Sequence, residues 1–335
     1  MSKEPIYISS AFSQTSAQAI ADTLSNFKVI KTDDFNSVQD EQARAFIIRS
    51  KNPVGSLMLE HCKNLKAVIS ATSGFDHFEV EQVKIKKEIF FGYTPDANAS
   101  SAAELTVFHA LNFLRKGPSL LKNNDRAFKL LGNELKGKTV LIIGLGRIGK
   151  KVASIFNALG CNLLVHDPYL SSSVIETFNA KSVNFEEGLS LAEIVTLHCP
   201  LTPKTKHLLN EKTFMLIKNP EAFVINCARG GLINEEHLVS AIENKKLSGA
   251  CLDVFESEPL SENSTLLNHE SIHCTPHAGA FTEEAHKESA LAAAKQVKFI
   301  LENKTYIESL NYKASPLTPL PIELEWFIKS SLHAY

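Results

Sequence analysis

Lys138-Thr139-Val140-Leu141-Ile142-Ile143-Gly144-Leu145-Gly146-Arg147-Ile148-Gly149 runs from an apolar, β-type stretch straight into a G-x-G-x-x-G, and residues 150–159 continue with helical patterning. Glycines so placed permit a tight turn, let the backbone approach a pyrophosphate, and let the following helix pack closely on its strand. The unpaired N–H groups and the dipole of the helix N-terminus favour an anion there. The glycines alone are also compatible with an ordinary strand-to-helix turn. Asp167 decides between the two readings. It follows the next β-type run, Asn162-Leu163-Leu164-Val165-His166, and lies 18 residues beyond Gly149, close to the ~20 expected of an acid that binds an adenosine ribose. A carboxylate there accepts from a 2′-hydroxyl and repels a 2′-phosphate, and neither Pro168 nor Tyr169 offers a compensating cation. The stretch predicts NAD as the cofactor.

Outward from it, further β-type runs at 194–197, 223–226, 250–252 and 272–275 are separated by helix-length segments. Before it, the runs 6–8, 27–30, 45–48, 57–62 and 67–69 accompany a helical stretch at 15–24. This alternation predicts parallel sheets, and 335 residues suit two domains. The expected fold class is therefore α/β, with two doubly wound parallel-sheet domains, one of them a Rossmann NAD-binding domain. A helical connector at 100–114 is stopped by Lys116-Gly117-Pro118, and a second helical run at 282–301 can return the chain to the first domain. The boundaries expected are 1–100 with 286–335 for the substrate domain and 101–285 for the NAD-binding domain. Residues 308–335, with Pro316, Pro319 and Pro321, read as a packed tail.

Apolar residues make up 44% of the chain and charged residues 21%, so a large core is available and disorder is excluded. Thirty-five Lys and Arg against 37 Asp and Glu give a net charge of -2, without the basic excess that binding a nucleic-acid backbone needs. No stretch is apolar for long enough to span a membrane, and the N-terminus lacks a basic and then apolar leader pattern. A cytoplasmic location, with no nucleic-acid or membrane partner, is the expectation. The six cysteines are scattered without a Cys-x-x-Cys pair and read as reduced structural thiols. No spacing of His, Cys and acids suggests a metal site.

Three more segments fall at ends of β-type runs: Asn226-Cys227-Ala228-Arg229-Gly230-Gly231, Asp253-Val254-Phe255-Glu256-Ser257-Glu258-Pro259 and Thr275-Pro276-His277-Ala278-Gly279. With His198-Cys199-Pro200-Leu201-Thr202 and Gly132-Asn133-Glu134-Leu135, they resemble the D-2-hydroxyacid dehydrogenase family over roughly residues 67–294. Within that family Arg49-Ser50, Thr94-Pro95-Asp96-Ala97-Asn98 and Ser101-Ala102-Ala103-Glu104 are similar to segments of the short-form D-3-phosphoglycerate dehydrogenases, enzymes of serine biosynthesis. The resemblance implies a nucleotide domain inserted in a flavodoxin-like substrate domain, a cleft between them, a homodimer or dimer-based oligomer, and a small anionic 2-hydroxy or 2-keto acid as substrate.

The chemistry points to the same residues. Oxidising a 2-hydroxy acid requires a cation for its carboxylate, a proton acceptor near neutral pKa, and a group to hold that acceptor. Arg229 supplies a planar fork of donors, His277 the proton acceptor, and Glu258 the orienting carboxylate. The resemblance further implies that Arg147 and Ile148 lie at the pyrophosphate with Gly144, Gly146 and Gly149. It places Asp167 at the ribose, and Cys199, Cys227, Ala228, Asp253 and Gly279 around the nicotinamide. Ser73 is an expected cofactor contact from the substrate domain, and Arg49, Ser50 and Asn98 are expected to hold a substrate phosphate.

The chain also departs from the phosphoglycerate dehydrogenase pattern. Ser70 stands where an Arg is common, the basic segment Asn124-Asp125-Arg126-Ala127-Phe128-Lys129 is shifted in register, and His286 replaces a Gln. Reduction of glyoxylate, hydroxypyruvate or another short 2-keto acid therefore remains an alternative. An NAD-dependent binding module on the same fold is a remoter one.

Overall fold

The computed structural model describes residues 3–49, 52, 59–74, 89–122 and 131–302. Ser50, the basic segment 124–129 and the tail 308–335 lie outside these described residues. The described chain divides into two compact units: residues up to Asn98 together with those from Phe281, and Ala99–Ala280.

In the first unit the strands are β1 (Pro5–Ser9), β2 (Lys28–Thr32), β3 (Ala45–Ile48), β4 (Ala67–Ser70) and β5 (Phe90–Tyr93). They pair in parallel in the order β2-β1-β3-β4-β5. A parallel sheet is covered on both faces, so its strands read as continuous apolar runs whose alternate residues serve opposite layers. Ile6, Ile8, Ala45, Ile47 and Ile69 pack with the helices Gln14–Thr23 and Glu283–Glu302, whereas Phe46, Ile48 and Val68 pack with Phe35 and Leu65. Each such fully buried aliphatic side chain contributes ~1.5–3 kcal/mol.

The second unit holds β6 (Thr139–Ile143), β7 (Asn162–His166), β8 (Ala180–Ser182), β9 (Ile194–Leu197), β10 (Phe223–Asn226), β11 (Gly249–Leu252) and β12 (Ile272–Cys274). Their order is β12-β11-β10-β9-β6-β7-β8, again all parallel. Leu141 and Ile143 enter one core layer, Val140 and Ile142 the other. The expected α/β class with two doubly wound parallel sheets is the architecture found.

One local expectation is corrected by the structure. The apolar run 57–62 is not a strand where it is described: Leu59 and Glu60 are helical, and Leu59 and Cys62 are buried beside Phe46. Leu59 and Cys62 belong to a core layer beside the sheet, and a short apolar run does not reveal whether it is helix or strand. The edge strands β5 and β8 were not anticipated.

Candidate active site

In doubly wound sheets ligands bind beyond the carboxyl ends of the strands, where the strand order reverses. In the second unit that point falls between β6 and β9. Gly144 follows β6 with φ +93°, and a Cβ there would lie 2.8 Å from the carbonyl oxygen of His198, just past β9. Only glycine fits that turn. A Cβ on Gly149 would lie 2.1 Å from the Gly144 carbonyl oxygen, so strand and helix approach as closely as the motif implied.

Gly146 differs from its neighbours. A Cβ there would meet no protein atom within 4 Å. It is also the N-cap of the helix Arg147–Ala158 and places no side chain over that helix's first N–H groups. The helices Phe185–Leu191, Glu211–Phe214 and Glu235–Glu243 are instead capped by Asn184, Asn210 and Asn234. Open space at Gly146 and an uncapped helix start suit a bound pyrophosphate. Arg147 is exposed, Ile148 is half-buried against the core, and Asp167 ties the turn together. Its carboxylate accepts from the Leu145 N–H at 2.8 Å and the Tyr169 N–H at 2.9 Å. Beside Gly144, burial pushes the Cys199 thiol up to about 11. It lowers the neighbouring His198 imidazole, hydrogen-bonded to Thr196 at 2.9 Å, to about 3. Both groups are neutral at pH 7.

Farther along the same sheet, His277 Nδ1 and Glu258 Oε2 are 2.6 Å apart, a short charge-assisted hydrogen bond. Glu258 Oε1 accepts from the Phe255 N–H at 3.1 Å, so the carboxylate is itself held. With Nδ1 committed, Nε2 is the ring nitrogen able to exchange a proton, and the half-exposed imidazole can meet a small molecule. His277 has φ +53°, a left-handed conformation rare for a residue with a side chain. Such strain persists where surroundings over-determine it. Asp253, 1% exposed, provides that constraint. Oδ1 accepts from the Ala278 N–H at 2.7 Å and from the Thr275 hydroxyl at 2.5 Å, and Oδ2 from the Gly279 N–H at 2.8 Å.

Arg229 sits in the loop after β10. Its Nη1 donates to the Ala228 carbonyl at 2.7 Å. Buried Asn226 braces that loop from below: Nδ2 donates to the Arg229 carbonyl at 2.9 Å, and Oδ1 accepts from the Ala228 N–H at 3.0 Å. Cys227 is buried and its thiol pushed up to about 12. Asn226 and Thr275 lie within the sequence motifs, but their bracing roles become visible only in the structure. Their signal was a polar residue ending an apolar run, where a side chain can serve the loop that follows. Buried His109, whose Nε2 lies 3.2 Å from the Thr275 hydroxyl and which burial lowers to about 4, gave no such signal.

In the first unit Arg49 immediately follows β3 and is half-buried, with its guanidinium 5.6 Å from the Phe12 ring centroid. Ser70 is fully buried, and its hydroxyl lies 2.6 Å from that of Thr72. Ser73 and Asn98 are half-buried, and Asn98 Oδ1 is buried without a hydrogen-bond partner among the described residues. Among the described residues no cluster of His, Cys, Asp and Glu could hold a metal ion. No described helix is long and apolar enough to cross a membrane.

A family model for the D-isomer specific 2-hydroxyacid dehydrogenase NAD-binding domain matches residues 106–279. The chain belongs to this family. The D-3-phosphoglycerate dehydrogenase of Methanocaldococcus jannaschii is 38% identical to it over 269 residues, 79% of this chain and 51% of that protein. The enzyme of the same name from Bacillus subtilis is 35% identical over 274 residues, 81% of this chain and 52% of its own length. The chain thus spans about half the length of these curated relatives. Among solved structures, the TT0316 protein from Thermus thermophilus is similar with a TM-score of 0.79 at 26% identity, covering 89% of this chain and 97% of that one. A D-isomer specific 2-hydroxyacid dehydrogenase from Lactobacillus delbrueckii, complexed with NAD, shares the fold with a TM-score of 0.75 at 24% identity, again covering 89% and 97%.

Proposed function

We propose that this family member is an NAD-dependent dehydrogenase that interconverts a D-2-hydroxy acid and its 2-keto acid. The preferred pair is D-3-phosphoglycerate and 3-phosphohydroxypyruvate. The observation that carries the reading is the His277–Glu258 pair, 2.6 Å apart, in the NAD-binding domain of a 2-hydroxyacid dehydrogenase. NAD supplies the hydride acceptor in one direction and the donor in the other.

The chain's own residues handle charge and protons. Arg229 binds the substrate carboxylate with its planar donors and polarises the neighbouring carbonyl. His277 Nε2 takes the hydroxyl proton in oxidation and returns it in reduction. Glu258 keeps the proton of the neutral ring on Nδ1 and stabilises the imidazolium that forms. Asp253, Thr275 and Asn226 act one step removed, by holding the two loops that present His277 and Arg229.

Names of relatives at 34–38% identity support the phosphorylated substrate. So does an arginine at the end of β3 for the phosphate. Ser70, buried where an arginine is common in that branch, favours keeping a short unphosphorylated 2-keto acid such as glyoxylate as the second reading. A homodimer built on the NAD-binding domain is the assembly proposed, and the exposed Phe108, Leu111 and Leu131 on that unit suit a partner surface. NADH oxidation with a panel of 2-keto acids tests the reading. 3-Phosphohydroxypyruvate should show the highest kcat/KM; a higher value for glyoxylate or hydroxypyruvate assigns the protein to the second reading.

A further inference from the structure

The reversal point of the first sheet lies between β1 and β3, as the order β2-β1-β3-β4-β5 requires. By the same rule that places the nucleotide in the second unit, a ligand of this unit belongs beyond the carboxyl ends of those two strands. Arg49 follows β3 there, and Phe12 follows β1. The guanidinium lies over the Phe12 ring at 5.6 Å, and its Nη2 is 3.1 Å from His286 Nε2, in the first turn of the helix Glu283–Glu302. The His286 ring is itself packed against Phe281, with ring centroids 5.6 Å apart.

A guanidinium has donors only and keeps its protons, so the histidine nitrogen facing it accepts. His286 is therefore unprotonated at Nε2, and both burial and the Arg49 charge favour the neutral ring. An arginine mounted this way is held by an aromatic face and one acceptor, without a counter-charge: among the described residues no carboxylate pairs with it. Its Nη1 is buried and has no hydrogen-bond partner among the described residues. An unmade hydrogen bond on a buried cation is costly, and an anionic ligand would relieve it.

We propose that His286 is a positioning residue that holds Arg49 for the anionic group of the substrate farthest from the reacting carbon. This rests on the reading that Arg49 binds the phosphate of 3-phosphohydroxypyruvate. His286 contributes to substrate affinity and to the preference for a phosphorylated acid, and takes no part in hydride or proton transfer.

The test is the steady-state kinetics of His286→Ala, His286→Leu, His286→Gln, Arg49→Ala and the Arg49→Ala/His286→Ala double variant, with 3-phosphohydroxypyruvate and with glyoxylate. NADH affinity is followed by fluorescence. His286→Leu fills the ring's volume without an acceptor, should the alanine variant fold poorly. Losing the acceptor should raise KM for 3-phosphohydroxypyruvate by about tenfold with kcat within about twofold, and leave KM for glyoxylate and the NADH Kd unchanged. His286→Gln should recover KM to within about threefold, and the double variant should be no worse than Arg49→Ala alone. If Arg49→Ala raises that KM while His286→Ala and His286→Leu do not, the inference is overturned and the phosphate reading stands. If Arg49→Ala affects both substrates equally, or the unaltered protein does not turn over 3-phosphohydroxypyruvate, both are overturned.

Discussion

Asp167 joins two tasks in one carboxylate. It accepts from the Leu145 N–H within the glycine-rich turn and from the Tyr169 N–H after β7, and at the ribose position proposed for it its charge disfavours a 2′-phosphate. Asp167→Ala should weaken NADH binding by the ~1.5–3 kcal/mol of a charged hydrogen bond. It should narrow the preference over NADPH mainly from the NADH side. Fluorescence titration with both cofactors checks this, and an unchanged NADH Kd would remove Asp167 from the ribose. Asp253 shows the reverse relation between sequence and role. Its position in a motif suggests a cofactor wall, and the structure adds three hydrogen bonds from the Thr275–Gly279 loop, in which His277 has a left-handed backbone conformation. A motif marks such a residue, but which amides it meets is decided only when two strand ends are brought together.

At the scale of elements, the glycine-rich turn separates folding from binding. Gly144→Ala would drive a Cβ against the His198 backbone at positive φ, and should lower the melting temperature markedly. Gly146→Ala meets open space, so its melting temperature should stay close to that of the unaltered protein while the NADH Kd rises. A Gly146→Ala variant that binds NADH normally would show that nothing approaches the backbone there. This turn was fully legible in the sequence because strand, glycines, helix and acid follow one another within 30 residues of chain. The elements that escaped reading are those whose identity depends on distant neighbours. β8, Ala180-Lys181-Ser182, has almost no intrinsic strand preference and exists because β7 offers an edge. The apolar run 57–62 looked like a strand because burial alone does not reveal a period over so few residues. The Arg49–His286 contact spans 237 positions and could not be seen before the helix Glu283–Glu302 was placed against the first sheet.

For the molecule as a whole, burial of neutral histidines makes stability pH-dependent. His109 is lowered to about 4 and His198 to about 3, both by burial, from an unfolded value near 6.5. Between those values the unfolded chain binds more protons than the folded one, so stability falls as pH falls. Their contribution is complete above pH 6.5 and is lost progressively as pH drops towards 4 and then 3. Melting temperature should therefore decline over that window, and His109→Asn, which removes one proton site, should flatten the decline. An identical slope in the variant would show that His109 is not buried neutral.

The central claim is that His277, held by Glu258, moves the substrate proton in an NAD-dependent reaction whose cofactor is anchored elsewhere. Its most direct test compares kcat for 3-phosphohydroxypyruvate reduction, and NADH Kd, between the unaltered protein and His277→Ala at neutral pH. Loss of a general acid–base group should lower kcat by roughly 10²- to 10⁴-fold, with NADH Kd within about twofold because the glycine-rich turn and Asp167 are untouched. A His277→Ala protein that keeps near-normal kcat would contradict the account.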